Sequence, residues 1–375
     1  MKQKIINHIQ GIKEDLFSLS TALYNNTPKM IQTINLLLEK QGFQVIKNQY
    51  NNLVISQASI QDGKQPKIGL FFNYSVSDKP FDKWNVSVST PMSIGAALGL
   101  ASVIKEIGGS VIVFGVPWGR EDLLSENKLL KDITAAIMLK AGDNSYESGY
   151  SINFHHIIID FKSKSFHSTI LSNKGSNALH GVIQSFNGIF LLNQYLPSSI
   201  KIEGIITNGG NYLEIPPLSA SAEFYVYYSQ KNDLEGIITK VENCAKGAAL
   251  QTGTEVSIVH NSNKYNGFIT NKSLNRLFCH NLKEAGIIDI QGPEDSNIPL
   301  MMGNISHKIP TIFPCVGIQN ISPQEDMEIR LKGELSAEIE KTILLGSQAA
   351  ALTGYDVITN KNLSKEIKQE FKGDR

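Results

Sequence analysis

Apolar residues recur at helical spacing through the first forty residues of the chain. Ile5, Ile9 and Leu16 belong to a series spaced three or four positions apart, which predicts one amphipathic helix over 2–24. A polar, proline-containing segment interrupts the series. The spacing then resumes and predicts a second helix over 29–41.

Between residues 43 and 139, short apolar runs alternate with helical patterns. The predicted helices cover 92–107 and 122–131. The predicted strands are Phe43–Ile46, Asn52–Ser56, Lys67–Phe72, Ser110–Gly115 and Ala135–Leu139. Alternation of this kind predicts a mostly parallel α/β sheet.

The pattern changes after Gly149 and returns near residue 270. The intervening segment predicts strands at Ser151–Lys162, Ile200–Ile206, Ala220–Ser229 and Thr254–His260, with helices at 175–192 and 232–250. Beyond it, the pattern predicts helix 271–285, strand Thr311–Val316 and helix 334–353. We therefore predict an α/β domain formed by 1–154 and 269–360, an inserted α+β domain at 155–268, and a charged, frayed tail at 361–375.

Composition narrows the class of protein. The 375 residues fit two domains, and 35 basic residues balance 35 acidic ones. A neutral chain lacks the basic face that nucleic acid requires, so we predict no nucleic-acid partner. The N-terminus has no signal-peptide core, and no apolar run reaches the roughly 20 residues of a membrane span. Three dispersed cysteines indicate reduced thiols, so we predict a soluble cytoplasmic protein.

The residue types alone reveal no complete catalytic group. Loops after the predicted strands contain the scattered carboxylates Glu121, Asp122 and Asp143, which suit solvated or helix-terminal positions as well as a metal site. The adjacent His155-His156 pair lies in a predicted strand, where the two rings point to opposite faces. They are therefore poorly placed to bind one ion together.

Several stretches, in order along nearly the whole chain, resemble one family of enzymes. They are Gly95-Ala-Ala-Leu-Gly-Leu-Ala101, Ser110-Val-Ile-Val-Phe-Gly-Val-Pro117, Ser163-Lys-Ser-Phe-His167, Gly175-Ser-Asn-Ala-Leu179, Ile202-Glu-Gly-Ile-Ile-Thr-Asn-Gly-Gly210, Ala245-Lys-Gly-Ala-Ala-Leu-Gln-Thr-Gly253 and Met302-Gly-Asn-Ile-Ser306. The chain resembles the zinc amidohydrolases of peptidase family M20, which include aminoacylases and carboxypeptidases. The branch of aminobenzoyl-glutamate hydrolases and dipeptidases is the most similar.

The resemblance implies a fold and a reaction. Such proteins have an α/β catalytic domain interrupted by a smaller α+β lid domain, which often forms dimers. They hydrolyse peptide or N-acyl amino-acid bonds with two zinc or manganese ions. This implied fold agrees with the domain split predicted from the pattern alone.

The metal-binding motifs of that family are altered in this chain. The Cys and His ligands of one motif align with Trp84 and Val86, and the Asp that orients a ligand aligns with Ser75. The remaining substituted positions are Gly119 and Arg120 in the general-base motif, Lys140 and Ile321. None of these side chains is an ordinary zinc ligand, and two are cationic, so we predict no bound metal or other cofactor.

At other positions, some residues of the family are retained in this chain and others are replaced. His167 matches a lid histidine that reaches a partner's active site in family dimers, and Asn177, Gly209 and Gly210 match lid positions with structural duties. A family Asn becomes Leu213, and the Arg for the substrate carboxylate becomes Tyr227. The predicted ligand-binding set is Arg120, Lys140, Trp84, His167, Asn177, Gly209 and Gly210.

Three hypotheses follow. The first is a non-catalytic binding or regulatory homologue that takes a small anionic or amino-acid-like ligand. It would form a homodimer through the lid or a heteromer with an active relative. The second is an active hydrolase with a rearranged site, which requires His155, His156, Asp143, Glu121 and His307 to converge. The third is an unrelated ligand-binding α/β protein.

Overall fold

The structure is a computed structural model of the 375-residue chain. It describes residues 1–25, 30–47, 54–59, 66–74, 80–117, 124, 128–164, 176–212, 215–228, 234–261, 266–296, 302–318 and 336–373. The described chain divides into two compact units. The larger unit contains Met1–Tyr150, Phe268–Ser296 and Met301–Arg375, and the inserted unit contains Ser151–Gly267.

The described elements are numbered in chain order. The helices are α1 (Lys2–Gly11), α2 (Lys13–Tyr24), α3 (Met30–Lys40), α4 (Pro80–Ile107), α5 (Ala178–Asn193), α6 (Leu234–Thr252), α7 (Lys272–Ala285), α8 (Gly303–Ser306), α9 (Ala337–Thr359) and α10 (Lys361–Gly373), with a short 3-10 helix at Lys128–Asp132. The strands are β1 (Gln44–Lys47), β2 (Val54–Ser59), β3 (Lys67–Tyr74), β4 (Ser110–Pro117), β5 (Ala135–Met138), β6 (Lys140–Gly142), β7 (Tyr146–Ser151), β8 (Asn153–Ser163), β9 (Ile200–Asn208), β10 (Ser219–Tyr228), β11 (Thr254–His260), β12 (Gln291–Ser296), β13 (Thr311–Ile312) and β14 (Cys315–Gly317).

A six-stranded sheet forms the centre of the larger unit, in the order β1-β2-β4-β3-β5-β13. β3 pairs in parallel with β4 and β5, and β5 pairs in parallel with β13. Every residue of β4 is buried, as expected of a strand covered on both faces. The α/β class predicted from the sequence is confirmed.

Helix α4 packs against this sheet and is longer than predicted. The sequence predicted a helix over 92–107, whereas α4 begins at Pro80. Val86, Val88 and Thr90 are β-branched residues of low helix propensity, and Pro91 removes a main-chain donor, so the pattern concealed the first three turns. Tertiary burial overrides these local preferences, because Val86 and Val88 lie in the core.

One predicted strand proves to be two. Instead of a single strand over Thr311–Val316, β13 pairs with β5 in the six-stranded sheet, and β14 pairs with β6 in a four-stranded sheet of order β12-β7-β14-β6. The chain changes sheets at Phe313-Pro314. The neighbouring strands β5 and β6 also belong to these two different sheets. At the point of change, the carbonyl of Pro314 accepts a hydrogen bond from the Lys140 amide at 3.0 Å.

The N-terminal and C-terminal predictions also need correction. The helix predicted over 2–24 is broken at Ile12, where φ is −105° and ψ is 11°. The segment 361–373 is the helix α10 rather than a frayed tail. Its Ile367 is fully buried, so a single apolar stripe anchors an otherwise charged helix.

The inserted unit is a four-stranded antiparallel sheet with two helices. Its strand order is β11-β8-β10-β9. Alternate residues of β10, including Phe224 and Val226, pack with α5 and α6 into a separate hydrophobic core. The other alternate residues form a second face of the sheet, which bears Glu223, Tyr225 and Tyr227.

Among the described residues, one helical segment is long and apolar enough to span a membrane. It is Lys83–Ile107 of α4, and 89% of its most apolar window is buried inside the protein. Burial of this kind is that of a core helix. The cytoplasmic location stays a prediction.

Candidate functional site

The carboxyl end of the parallel strands is the first place to seek a site in this fold. β3 ends there at Tyr74, and the first turns of α4 pack against β6. The Asn85 side-chain amide donates to the Ala141 carbonyl at 3.0 Å. This bond places the α4 segment that bears Trp84 and Val86 beside the strand that begins with Lys140.

Trp84 and Val86 belong to the hydrophobic core of the larger unit. Trp84 is 2% exposed and Val86 is fully buried. Lys140, in contrast, is only partly buried. The positions that the resemblance assigned to a Cys and a His ligand therefore hold apolar core side chains, with a lysine on the neighbouring strand.

Unpartnered polar atoms lie at the same edge of the sheet, at the end of β3 and in α4. Asn73 Oδ1, the Tyr74 hydroxyl and Ser93 Oγ are buried and have no hydrogen-bond partner in the described part of the chain. Asn73 and Tyr74 end β3, and Thr90, one helical turn before Ser93, donates through its hydroxyl to the Asn73 carbonyl. Burial raises the pKa of the Tyr74 hydroxyl above its ordinary value, so it is neutral at physiological pH.

Four of the predicted positions cannot be placed at this edge. Ser75, Gly119, Arg120 and Ile321 lie outside the described residues, as does His167 in the inserted unit. Glu121 lies outside them too. The prediction that Arg120 and Lys140 belong to one ligand-binding set stays a prediction.

The histidines of the alternative metal site are engaged within the inserted unit. His156 is 3.0 Å from Glu223 Oε2 through Nε2 and 3.3 Å from the Asn261 amide through Nδ1. Both ring nitrogens are therefore used. His155 Nε2 lies 3.0 Å from Nδ1 of His260.

The contact between His155 and His260 continues to the carboxylate of Glu242. His260 Nε2 is 3.1 Å from Glu242 Oε1, and Lys246 donates to the other oxygen of Glu242 at 2.7 Å. The Lys246 ammonium lowers the pKa of the Glu242 carboxyl. His260 uses one ring nitrogen toward His155 and the other toward Glu242. These three side chains therefore form a chain of hydrogen bonds and do not converge on one point.

The remaining members of that alternative set lie in the larger unit. Asp143 follows β6, and His307 lines a cavity of about 20 Å³ with Thr270, Ser306 and Phe371. That volume is close to the space of a single water molecule. In the described ranges, no three His, Cys, Asp or Glu side chains are grouped so that they could hold a metal ion.

The retained residues of the inserted unit have structural contacts. Asn177 is the N-cap of α5, where its side-chain oxygen accepts from the Leu179 amide at 2.9 Å. Gly210 has a φ of +98°, and a Cβ there would lie 2.5 Å from Pro217 Cγ. Its neighbour Gly209 completes the same turn. Ligand binding by these three residues stays a prediction.

Sequence reasoning missed a groove on the inserted unit. It occupies about 500 Å³ and is lined by Glu203, Gly204, Ile205, Glu223, Phe224, Tyr225 and Tyr227. The only signal in the sequence is the alternation of β10 that places Glu223, Tyr225 and Tyr227 on one face. The contribution of β9 depends on strand register, which the pattern does not specify.

Comparison with known proteins finds two dipeptidases of similar sequence. No family model matches the chain. An Xaa-Arg dipeptidase of Mus musculus is 26% identical over 298 residues, covering 75% of this chain and 68% of that protein. An Xaa-Arg dipeptidase of Homo sapiens is 28% identical over 294 residues, covering 74% of this chain and 66% of that protein. The matches thus span about two thirds of the length of these relatives.

A solved structure agrees with these matches. The Bacillus subtilis YXEP protein, a dinuclear metal binding peptidase from the M20 family, has a TM-score of 0.61 and 14% identity, with 93% of this chain and 99% of that chain covered. This chain is similar in sequence to the Xaa-Arg dipeptidases and has the fold of that M20 peptidase. The two-domain fold implied by the resemblance is confirmed, and the hypothesis of an unrelated α/β protein is wrong.

The side chains at this edge of the sheet can be tested against a dinuclear metal site. An indole and an isopropyl group offer no donor that zinc uses, and an ammonium at Lys140 adds a positive charge. Both Trp84 and Val86 are in the core, so neither position has space for an ion. The described residues at this edge therefore do not fit the metal pair.

Proposed function

We propose that this protein is a non-catalytic homologue of the M20 peptidases that binds a small anionic or amino-acid-like ligand at the altered site. The burial of Trp84 and Val86 in the core, at positions aligned with metal ligands, carries the proposal. Hydrolysis of an amide needs an activated water and a general base. Loss of the base alone lowers the rate by about 10²- to 10⁴-fold.

The positive charge of Lys140 favours binding of an anion, rather than a metal cation, at this site. Two unit charges of like sign at roughly 4 Å repel by about 4 kcal/mol at an effective dielectric constant near 20. A lysine at the aligned position of a metal ligand therefore opposes metal and favours a carboxylate. Buried polar atoms without partners cost about 1–3 kcal/mol each, and a polar ligand or water at this edge would remove that cost.

The direct test uses an anion that no M20 peptidase can cleave. We expect glutarate to bind the purified protein in a calorimetric titration, and we expect Lys140→Gln to weaken this binding by at least tenfold, since a charge-assisted hydrogen bond contributes roughly 1.5–3 kcal/mol. Lys131→Gln is the matched control, because Lys131 is an exposed lysine of the 3-10 helix that precedes β5. Glutarate binding unaffected by Lys140→Gln would contradict the assignment of the ligand to this site.

The alternative function is hydrolysis with a rearranged site, and the names of the relatives give its substrate. The protein is incubated with alanyl-arginine, and free arginine is measured with and without a chelator. We expect no release above background. Release of arginine that the chelator abolishes would favour the active hydrolase.

We also propose that the inserted unit mediates self-association. Ile183, Phe190 and Leu191 of α5 are exposed apolar side chains, and β9 is an edge strand that bears the exposed Ile205 and Ile206. Exposed apolar clusters and unpaired strand edges are features of protein interfaces. A second copy of the chain is the partner proposed, and a heteromer with an active relative is the alternative.

A further inference from the structure

The second face of the inserted sheet places aromatic and acidic residues in rows. Tyr225 of β10 is opposite Glu203 of β9 on one side and opposite His156 of β8 on the other. In the adjoining row, Ile205 is opposite Glu223. All these residues alternate with the side chains that pack on α5 and α6, so they share the face that the helices do not cover.

Tyr225 is the centre of an aromatic group on this face. Its ring centroid lies 4.9 Å from that of Phe154, 4.9 Å from that of His156 and 6.1 Å from that of Tyr227. These contacts fix the ring on three sides. Tyr225 nevertheless keeps 40% of its surface exposed, and it lines the 500 Å³ groove.

Two carboxylates flank the exposed part of this ring. Glu203 is directly across the strands from Tyr225, and Glu223 is two residues along the same strand. Glu203 and Glu223 are therefore diagonal neighbours on adjacent strands, and such pairs have Cβ atoms roughly 7–8 Å apart. Both carboxylates can thus reach one small group above the ring. Burial and the charge of Glu223 raise the pKa of Tyr225, and burial, Glu203 and Tyr225 raise that of Tyr227.

Each carboxylate is engaged through one oxygen. Glu203 Oε1 pairs with the exposed Lys201, and Glu223 Oε2 pairs with His156. Within the described residues, the second oxygen of each has no hydrogen bond. The face as a whole bears the acidic residues Glu203, Glu223, Asp160 and Glu255 against the lysines Lys162 and Lys201, so its charge is negative.

We propose that this groove binds a small molecule bearing a guanidinium group. The planar cation stacks on the Tyr225 ring and donates to Glu203 and Glu223 from its edges. A guanidinium fits better than an ammonium, because it is flat, is weakly hydrated and presents donors in a fork that matches carboxylates. The proposal concerns the groove of the inserted unit and does not rest on the function proposed for the larger unit.

The test compares ligands of one shape and different charge. Butylguanidinium, its neutral planar analogue butylurea and butylammonium are titrated into the full-length protein by calorimetry. We expect butylguanidinium to bind more tightly than butylammonium, and butylurea to show no saturable binding. Equal binding of butylurea, equal binding of butylammonium, or no binding of butylguanidinium would overturn the proposal.

Variants locate the binding in this groove. We expect Glu203→Gln and Glu223→Gln each to weaken butylguanidinium by about tenfold, the effect of losing roughly 1.4 kcal/mol. Glu255→Gln is the matched control, since Glu255 lies on the same face in β11 but does not line the groove. Tyr225→Phe should keep the affinity and Tyr225→Leu should lose it. The glutamine substitutions keep the size and shape of the glutamate side chains and remove only their charge. Affinity that survives both of them would contradict the proposal.

Discussion

At the scale of single residues, the sequence predicts altered chemistry at the aligned metal positions but does not show whether those side chains are buried. The spacing of the aligned motifs indicated that Trp84 and Val86 replace metal ligands, because each replacement is local. Their burial in the core depends on how α4 packs against β6. The groove around Tyr225 was missed for the same reason, since Glu203 and Glu223 meet only through strand register.

A buried hydroxyl without a partner provides a test at this scale. Tyr74→Phe removes an atom whose burial is uncompensated, so we expect the free energy of unfolding at pH 7 to rise by about 1 kcal/mol in a urea titration. Thr90→Val is the control. It deletes the hydroxyl that donates to the Asn73 carbonyl and should lower stability by about 1 kcal/mol.

Tyr74→Phe should also change how the stability of the protein depends on pH in the alkaline range. Well below pH 10, Tyr74 is neutral in both the folded and unfolded states. At higher pH the unfolded state ionises first, because burial raises the pKa in the folded state, so stability falls. Tyr74→Phe should reduce this alkaline loss. A remaining part is expected from Tyr225 and Tyr227, whose pKa values burial also raises, and from Cys279, whose pKa burial raises to about 12. An unchanged alkaline profile would contradict the burial of the Tyr74 hydroxyl.

At the scale of elements, periodicity predicted the helices that carry regular apolar stripes, such as α7 and α9, to within a few residues except at the C-terminus of α9. It failed where local preference and tertiary packing disagree, as at the first turns of α4. It also failed for α10, whose charged composition concealed the stripe of Leu363, Ile367 and Phe371. Burial of Ile367 is a long-range effect that no local pattern shows.

Helix α10 caps α7, which yields a prediction at this scale. Glu370 accepts from the Lys272 and Ser273 amides at the start of α7. Removing these charge-assisted bonds at a helix N-terminus should cost about 1–2 kcal/mol, so Glu370→Ala should lower the free energy of unfolding by that amount. Lys365→Ala, an exposed substitution on the same helix, should change it little. Equal effects of the two substitutions would contradict a capping role for Glu370.

At the scale of the whole molecule, the interrupted α/β pattern indicated a discontinuous fold with an insert, and a solved M20 peptidase structure has the same fold. The same pattern cannot show which surfaces remain exposed, because exposure is a property of the assembled units. The apolar side chains of α5 and the edge of β9 became visible only in the structure.

Self-association is the prediction that belongs to this scale. Light scattering coupled to size-exclusion chromatography should give a mass near twice the 41.3 kDa of the chain. Phe190→Glu should shift the protein toward monomer, because it places a charge in the proposed interface. Leu36→Glu, at an exposed apolar position of α3, should not. A monomeric parent protein would contradict the proposed dimer.

The most direct test of the central claim is the metal content of the whole protein. The chain is purified without chelator, incubated with zinc or manganese, dialysed and analysed by inductively coupled plasma mass spectrometry, with the dinuclear M20 peptidase of Bacillus subtilis treated identically as the positive control. The substitutions at Trp84, Val86 and Lys140 predict no stoichiometric metal in a folded protein. Two metal ions bound to each chain would contradict the account.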